Sequence, residues 1–103
     1  MDDFAQRRRS EILKAIAHPT RIAILEILRW GEECVCRICP ELEGSQPNTS
    51  KHLATMRAAG ILEARQEGTM TFYRLVDTRV YEILGLVDQM VRREQRDRVS
   101  AVG

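Results

Sequence analysis

The sequence of 103 residues predicts a single, mainly α-helical domain of the α+β class, with about five helices and one β-hairpin. Apolar residues recur at helical spacing towards both ends of the chain, most regularly over residues 80–91. Between these ends, two short β-prone segments flank residues 67–70, which include a glycine suited to a hairpin turn. Prolines and glycines stand where helices typically start and stop.

The first half of the chain predicts two helices and then a shorter element. Residues 3–17 form an amphipathic helix whose solvated side carries an arginine run. A second helix covers residues 19–30, with Pro19 in its first turn and Gly31 as its C-terminal stop. A short helix or loop that contains all the cysteines follows over residues 32–43.

The second half predicts a capped helix, a hairpin and a long final helix. Ser45 or Gln46 caps a helix that ends at Gly60. Strands follow over residues 61–66 and 71–76, and a helix then runs over about residues 78–96, with a frayed tail. This order of elements predicts a winged helix-turn-helix domain spanning residues 1–103. Its parts are a helix-turn-helix (32–60), a wing (61–76) and two terminal helices (1–17 and 78–97).

The helix before the hairpin carries side chains that can read DNA. Between residues 45 and 62 there is no acidic residue, although the protein as a whole has a net charge of only +1. Asn and Gln can hydrogen-bond adenine edges, and Lys and Arg can reach guanine or phosphate. An exposed polar helix without a ligand is the equal alternative on composition alone. The candidate DNA contacts are Gln46, Asn48, Thr49, Ser50, Lys51, His52 and Arg57, with Arg65 and Arg74 from the wing.

These motifs together resemble the ArsR/SmtB family of metal-sensing winged-helix repressors across nearly the whole chain. The resemblance rests on residues 18–25 (HPTRIAIL), 34–39 (CVCRIC), 45–53 (SQPNTSKHL), 56–62 (MRAAGIL) and 73–75 (YRL). It implies a homodimer, with its first and last helices at the interface, bound to double-stranded operator DNA with an inverted repeat.

The apolar stripe of the last helix is larger than one small core needs, so we expect part of it to form the dimer surface with residues of the first helix. The alternative is that the stripe packs only against its own domain. The predicted dimer surface comprises Phe4, Ile12, Ile16, Val80, Ile83, Leu84, Val87 and Val91.

All three cysteines lie in one short segment, as C-x-C-x₂-C at Cys34, Cys36 and Cys39. Thiolates bind soft ions strongly, and structural zinc prefers four ligands. Three thiolates without a nearby fourth ligand therefore favour a three-coordinate centre such as As(III) or Sb(III), and this spacing is similar to that of arsenic-responsive members of the family. We expect a repressor that needs no cofactor and leaves its operator when these cysteines bind As(III), Sb(III) or another thiophilic ion.

Helical geometry places Cys36 and Cys39 on one face and turns Cys34 away. Binding all three sulfurs to one ion would therefore unwind the start of the segment and misalign the next helix. Pro40 disfavours helical conformation at Cys39, so either a helix starts at Pro40 or the helix is kinked there. The alternatives on the same fold are a thiol/disulfide redox regulator and a regulator responding to cadmium or zinc.

Two other classes of protein are not expected. The sequence has neither a C-x-x-C in a βαβ pattern nor a phosphate loop or acid/base pair, so we do not expect an enzyme. The acidic N-terminus lacks a signal-peptide core, and no run of about 18 apolar residues exists. We therefore expect a cytoplasmic protein with reduced thiols and no membrane contact.

Overall fold

Over residues 2–42 and 44–102, which are the residues described by the computed structural model, the chain forms five α-helices and three short strands. Met1, Glu43 and Gly103, which fall within the predicted domain, lie outside the described residues. The helices are α1 (Asp3–Ile16), α2 (Pro19–Ile27), α3 (Val35–Ile38), α4 (Gln46–Ala58) and α5 (Arg79–Val102); the strands are β1 (Glu33–Cys34), β2 (Leu62–Glu67) and β3 (Met70–Leu75). Short 3₁₀ turns extend α2 over Leu28–Trp30 and α3 over Cys39–Glu41.

Helix α4 begins and ends at the residues that its sequence signals predict. The Ser45 hydroxyl accepts a hydrogen bond from the Asn48 N–H at 3.3 Å, which satisfies one of the free donors of the first turn. At the other end, Gly60 adopts a φ of +81°. The Ile61 N–H then donates to the Met56 carbonyl at 2.9 Å, which closes the helix in a Schellman turn.

The strands form one antiparallel sheet in the order β1-β3-β2. The predicted hairpin is confirmed, with each strand displaced by one residue towards the turn, so that Glu67 pairs with Met70. Gly68 has a φ of +61° in the two-residue connection, as such a tight turn requires. Strand β1 was not predicted. It pairs Cys34 with Phe72 of β3 and so joins the cysteine segment to the wing.

The core draws on almost every element, which explains how so short a chain holds the helix-turn-helix in place. Side chains from α2, α3, α4 and β2 meet without solvent exposure, and apolar residues of α1, β3 and α5 surround them. The inward face of α4 carries Leu53 and Met56, which are fully buried. The predicted fold class, a winged helix-turn-helix with one hairpin, is therefore confirmed.

Helix α5 is longer than expected. It continues as helix to Val102 instead of fraying after Arg98. None of the helices in the described part of the chain is both long and apolar enough to span a bilayer.

The predicted dimer surface requires a correction, because three of its members belong to the domain's own core. Ile16, Val80 and Leu84 are buried within the single chain, and Ile12 and Ile83 pack partly buried against them. For Ile16, Val80 and Leu84 the alternative of packing within the domain is the correct one, whereas Ile12 and Ile83 stay partly exposed. The predicted members that remain exposed are Phe4, Val87 and Val91.

Candidate nucleic-acid interface and thiol site

The outward side of α4 presents polar side chains because its opposite side is fixed in the core. The side chains of Gln46, Asn48, Ser50, Lys51 and Arg57 are all exposed. Within the described residues, neither of the two cations makes an ion pair. They are therefore available to an external anion such as a DNA phosphate.

Thr49 is a correction to the candidate contacts. It is only 2% exposed, because it lies four residues before Leu53 and seven before Met56 and therefore shares their buried stripe. Its hydroxyl does not lie on the face that the other polar side chains form.

His52 lies at the edge of this face and is held by the helix behind it. It is half-buried, and its Nδ1 accepts a hydrogen bond from Arg21 Nε at 3.0 Å. Its ring lies 4.3 Å from that of His18, centroid to centroid. Burial, and then the nearby His18 and Arg21, lower the pKa of His52, so the neutral imidazole is favoured.

The wing arginines are engaged within the protein. Arg65 forms ion pairs with Glu32 at 2.7 Å and with Glu67 at 2.6 Å, and its guanidinium lies 4.6 Å from the centre of the Phe72 ring. The hydrogen bonds to the two carboxylates raise the pKa of Arg65, and the bond from Arg65 lowers the pKa of Glu32. Arg74 pairs with Glu63 across the hairpin. The carboxylates therefore compete with a phosphate for each arginine.

The cysteine segment begins as extended chain, and its helix starts only after Cys34. Cys34 is extended, buried in β1, and caps α3 by accepting the Cys36 N–H at 3.1 Å. Around Pro40 the α-helical backbone changes to a 3₁₀ turn. This agrees with an irregular helix at the proline and not with a new helix that starts there. Cys39 is a half-buried free thiol.

The sulfurs of Cys34 and Cys36 are paired as a disulfide in the structure. The pairing is possible because Cys34 is extended and its Cα lies 5.1 Å from that of Cys36. Among the described residues there is no group of three or more His, Cys, Asp or Glu side chains arranged to hold a metal ion. The three predicted ligands therefore lie near one another without forming a preassembled site.

All three cysteines nevertheless face one groove that reaches both elements with candidate DNA contacts, α4 and the wing. This groove has a volume of about 670 Å³. Gln46 and Ser50 of α4 line one side, and Thr69 and Met70 of the wing line another. Two of the candidate DNA contacts therefore also border the thiol site.

Comparison with known proteins gives a consistent set of relatives. The model of the family "Bacterial regulatory protein, arsR family" matches residues 18–64. An uncharacterized HTH-type transcriptional regulator of Methanocaldococcus jannaschii is 50% identical over 82 residues, which are 79% of this chain and 92% of that protein. The arsenical resistance operon repressor of Escherichia coli is 37% identical over 93 residues, 89% of this chain and 79% of the repressor.

A solved structure extends the similarity to the whole domain. The homodimeric winged helix-turn-helix DNA-binding domain of a Mycobacterium bovis protein superposes with a TM-score of 0.76 at 29% sequence identity. The match covers 95% of this chain and 93% of that domain.

Proposed function

The chain belongs to the arsR family of bacterial regulatory proteins, and on this premise we propose that it is an operator-binding repressor that a thiophilic ion releases from DNA. The family consists of DNA-binding transcriptional regulators, so the protein is a regulator and not an enzyme. One observation carries the proposal further. The groove of the three cysteines is bordered by Gln46 and Ser50, which are also candidate DNA contacts.

The proposed DNA-binding element is α4, lying in the major groove. Its exposed cations, Lys51 and Arg57, supply charge, and its amides, Gln46 and Asn48, supply hydrogen-bonding groups for base edges. The wing adds phosphate contacts through Arg65 or Arg74 once these release their carboxylates. As a DNA-binding regulator, the protein would act in the cytoplasm.

We propose that the protein is a homodimer on an inverted repeat. The supporting observation is an exposed apolar surface on α1 and α5 that the monomer does not use: Phe4, Leu13, Leu86, Val87, Met90 and Val91. The homodimeric assembly of the similar M. bovis domain agrees with it. Twofold symmetry would place the two α4 helices about 34–36 Å apart, which matches successive major grooves on one side of DNA.

The proposed inducer is As(III) or Sb(III), bound by Cys34, Cys36 and Cys39 after the disulfide has been reduced. Arsenous acid would lose three water molecules as three As–S bonds form. The arsenical resistance role in the name of the E. coli relative supports this choice. Because the reduced sulfurs start from β1, α3 and the 3₁₀ turn, their closure on one ion moves these elements relative to one another. The ion therefore binds one arrangement better than the other, and a coupling of about 1–3 kcal/mol weakens DNA binding about 5- to 150-fold.

A redox regulator is the second candidate, and the Cys34–Cys36 disulfide specifically favours it. Two thiols would lose two protons and two electrons to an oxidant such as hydrogen peroxide. This reaction uses only two of the sulfurs, so Cys39 distinguishes the two candidates.

The test is operator binding by the fully reduced protein, measured with arsenite, antimonite, cadmium, zinc and hydrogen peroxide side by side. C34S should bind DNA and respond to none of them. C39S should lose the response to arsenite and keep the response to peroxide. Release of C39S by arsenite at the wild-type concentration would contradict three-sulfur capture, and release by peroxide alone in the wild type would establish the redox function.

The DNA-binding assignment has its own test. K51A or R57A should weaken operator binding and leave the dimer intact in sedimentation, whereas K14A, which removes the other lysine of the chain from α1, should not. Unchanged affinity in both α4 variants would contradict the assignment of α4.

A further inference from the structure

A single guanidinium connects the recognition helix α4 to the two helices behind it. Arg21 of α2 donates through Nε to His52 Nδ1 at 3.0 Å. Its Nη1 lies 3.4 Å from the carbonyl oxygens of Lys14 and Ala15, at the end of α1. The position of Arg21 is therefore fixed from two sides, and its Nε–H points at the imidazole of His52.

This hydrogen bond determines which nitrogen of His52 carries the proton. Arginine has only donors and stays protonated, so the nitrogen that faces it must offer a lone pair. In the neutral imidazole the proton then lies on Nε2. A protonated His52 would instead direct an N–H at the Arg21 N–H and place two positive charges together. Among the described residues, the only other titratable group that contacts His52 is His18, whose own Nδ1 accepts the Thr20 N–H at 3.1 Å.

The Nε2–H group of His52 is open to the outside. No buried side-chain nitrogen or oxygen in the described part of the chain lacks a hydrogen-bond partner, and His52 Nε2 makes no hydrogen bond to another described residue. Nε2 therefore reaches solvent. It does so on α4 next to the exposed Lys51 and one turn after the exposed Asn48.

We propose that Arg21 is a positioning residue that holds His52 as the neutral Nε2–H tautomer, so that α4 offers the operator one directed N–H donor. The inference rests on the proposed DNA-binding function and adds a residue from outside the recognition helix to it. The acceptor on DNA is a phosphate oxygen or a base-edge acceptor. If the acceptor is a phosphate, the variants below should lose affinity for operator and for unrelated DNA equally. If it is a base edge, they should lose more affinity for the operator.

Two substitutions of His52 separate its two nitrogens. The amide of asparagine lies near the position of Nδ1, so H52N keeps an acceptor for Arg21 and loses the outer donor. The amide of glutamine reaches the position of Nε2, so H52Q keeps an outer donor and loses the fixed inner acceptor. We expect H52N to bind operator about 3- to 10-fold more weakly per half-site, the effect of one hydrogen bond, and H52Q to lose less.

The tautomer itself is measured by long-range ¹H–¹⁵N NMR of the full-length protein without DNA. Wild type should show the Nε2–H form of His52 at pH 7.5. R21Q should show a mixture of tautomers, and its His52 should titrate closer to the ordinary histidine value of about 6.5. R29Q is the matched control, because Arg29 forms its ion pair with Glu26 and contacts neither histidine. R21M, which has no donor to direct at Nδ1, provides a second variant if R21Q does not fold.

The outcomes distinguish this inference from the proposed function. An Nδ1–H tautomer in wild type, an unchanged tautomer in both Arg21 variants, or wild-type operator affinity in H52N would overturn the role of Arg21. In any of these cases, operator binding by the wild type with a steep salt dependence would still support the proposed DNA-binding function. Loss of affinity in R21Q similar to that in H52N, with no further loss in the double variant, would support the coupling.

Discussion

Replacing Gly60 by alanine tests the junction between α4 and α1. Gly60 has a φ of +81°, and a Cβ built there lies 3.1 Å from Nη2 of Arg8. The left-handed backbone costs a residue with a Cβ about 1–2 kcal/mol. The same Nη2 donates to the Ala59 carbonyl at 2.8 Å. Moving it would weaken a charge-assisted hydrogen bond worth about 1.5–3 kcal/mol. We expect G60A to lower the free energy of unfolding by about 2–4 kcal/mol, measured by urea denaturation with far-UV circular dichroism at one fixed protomer concentration.

Gly68 is the matched control, because it also has positive φ but nothing lies within 4 Å of its added Cβ. G68A should lose only the backbone cost of about 1–2 kcal/mol, and the difference between the two variants measures the contact with Arg8. Adding R8A to G60A should then cost less than R8A alone. Equal losses in G60A and G68A would refute the role assigned to Arg8.

Three further predictions concern α4 and the wing. S45A should lower the free energy of unfolding by about 1 kcal/mol in urea denaturation, because the Asn48 N–H loses its cap. S45D should keep the wild-type free energy of unfolding and weaken operator binding in a gel shift. Equal DNA affinity in S45A and S45D would place the start of α4 away from DNA. L53A should cost about 2–5 kcal/mol in urea denaturation, since Leu53 is fully buried; a loss below about 1 kcal/mol would contradict that burial. E32Q should strengthen DNA binding and steepen its salt dependence, because Arg65 loses one of its two carboxylate partners; weaker binding would mean that the ion pair positions the wing for DNA.

The ends of α4 were predictable because their signals are local. Ser45 caps, Pro47 fits a first turn, and Gly60 supplies the left-handed residue, so each signal depends only on its neighbours. The burial of Thr49 was also available from the sequence, as its spacing from Leu53 matches one helical face. Residue type had suggested a DNA contact, whereas periodicity places the side chain in the core.

Strand β1 was not predictable from local patterns. Two residues are too few for a period-2 pattern, and the pairing of Cys34 with Phe72 joins parts of the chain that lie far apart in sequence. The arginines of the wing show the same limit, because the partner of Arg65 at Glu32 becomes visible only once β1 has been placed beside β3. Likewise, which apolar residues of α1 and α5 lie in the core and which on the surface became clear only from the packed domain.

The attachment of β1 to β3 has a quantitative consequence for repression. Residue 34 shares a hydrogen-bonded ladder with the wing and directly precedes the first helix of the helix-turn-helix. A shift of its backbone therefore reaches the two arms proposed to contact DNA, which are the wing and the helix-turn-helix. Losses of free energy at the two arms add, so their effects on the dissociation constant multiply, and the symmetry of the proposed dimer squares the product. A threefold weakening at each arm would thus give about an 80-fold weaker complex. A small sensor can in this way produce a large change in promoter occupancy without a large movement anywhere.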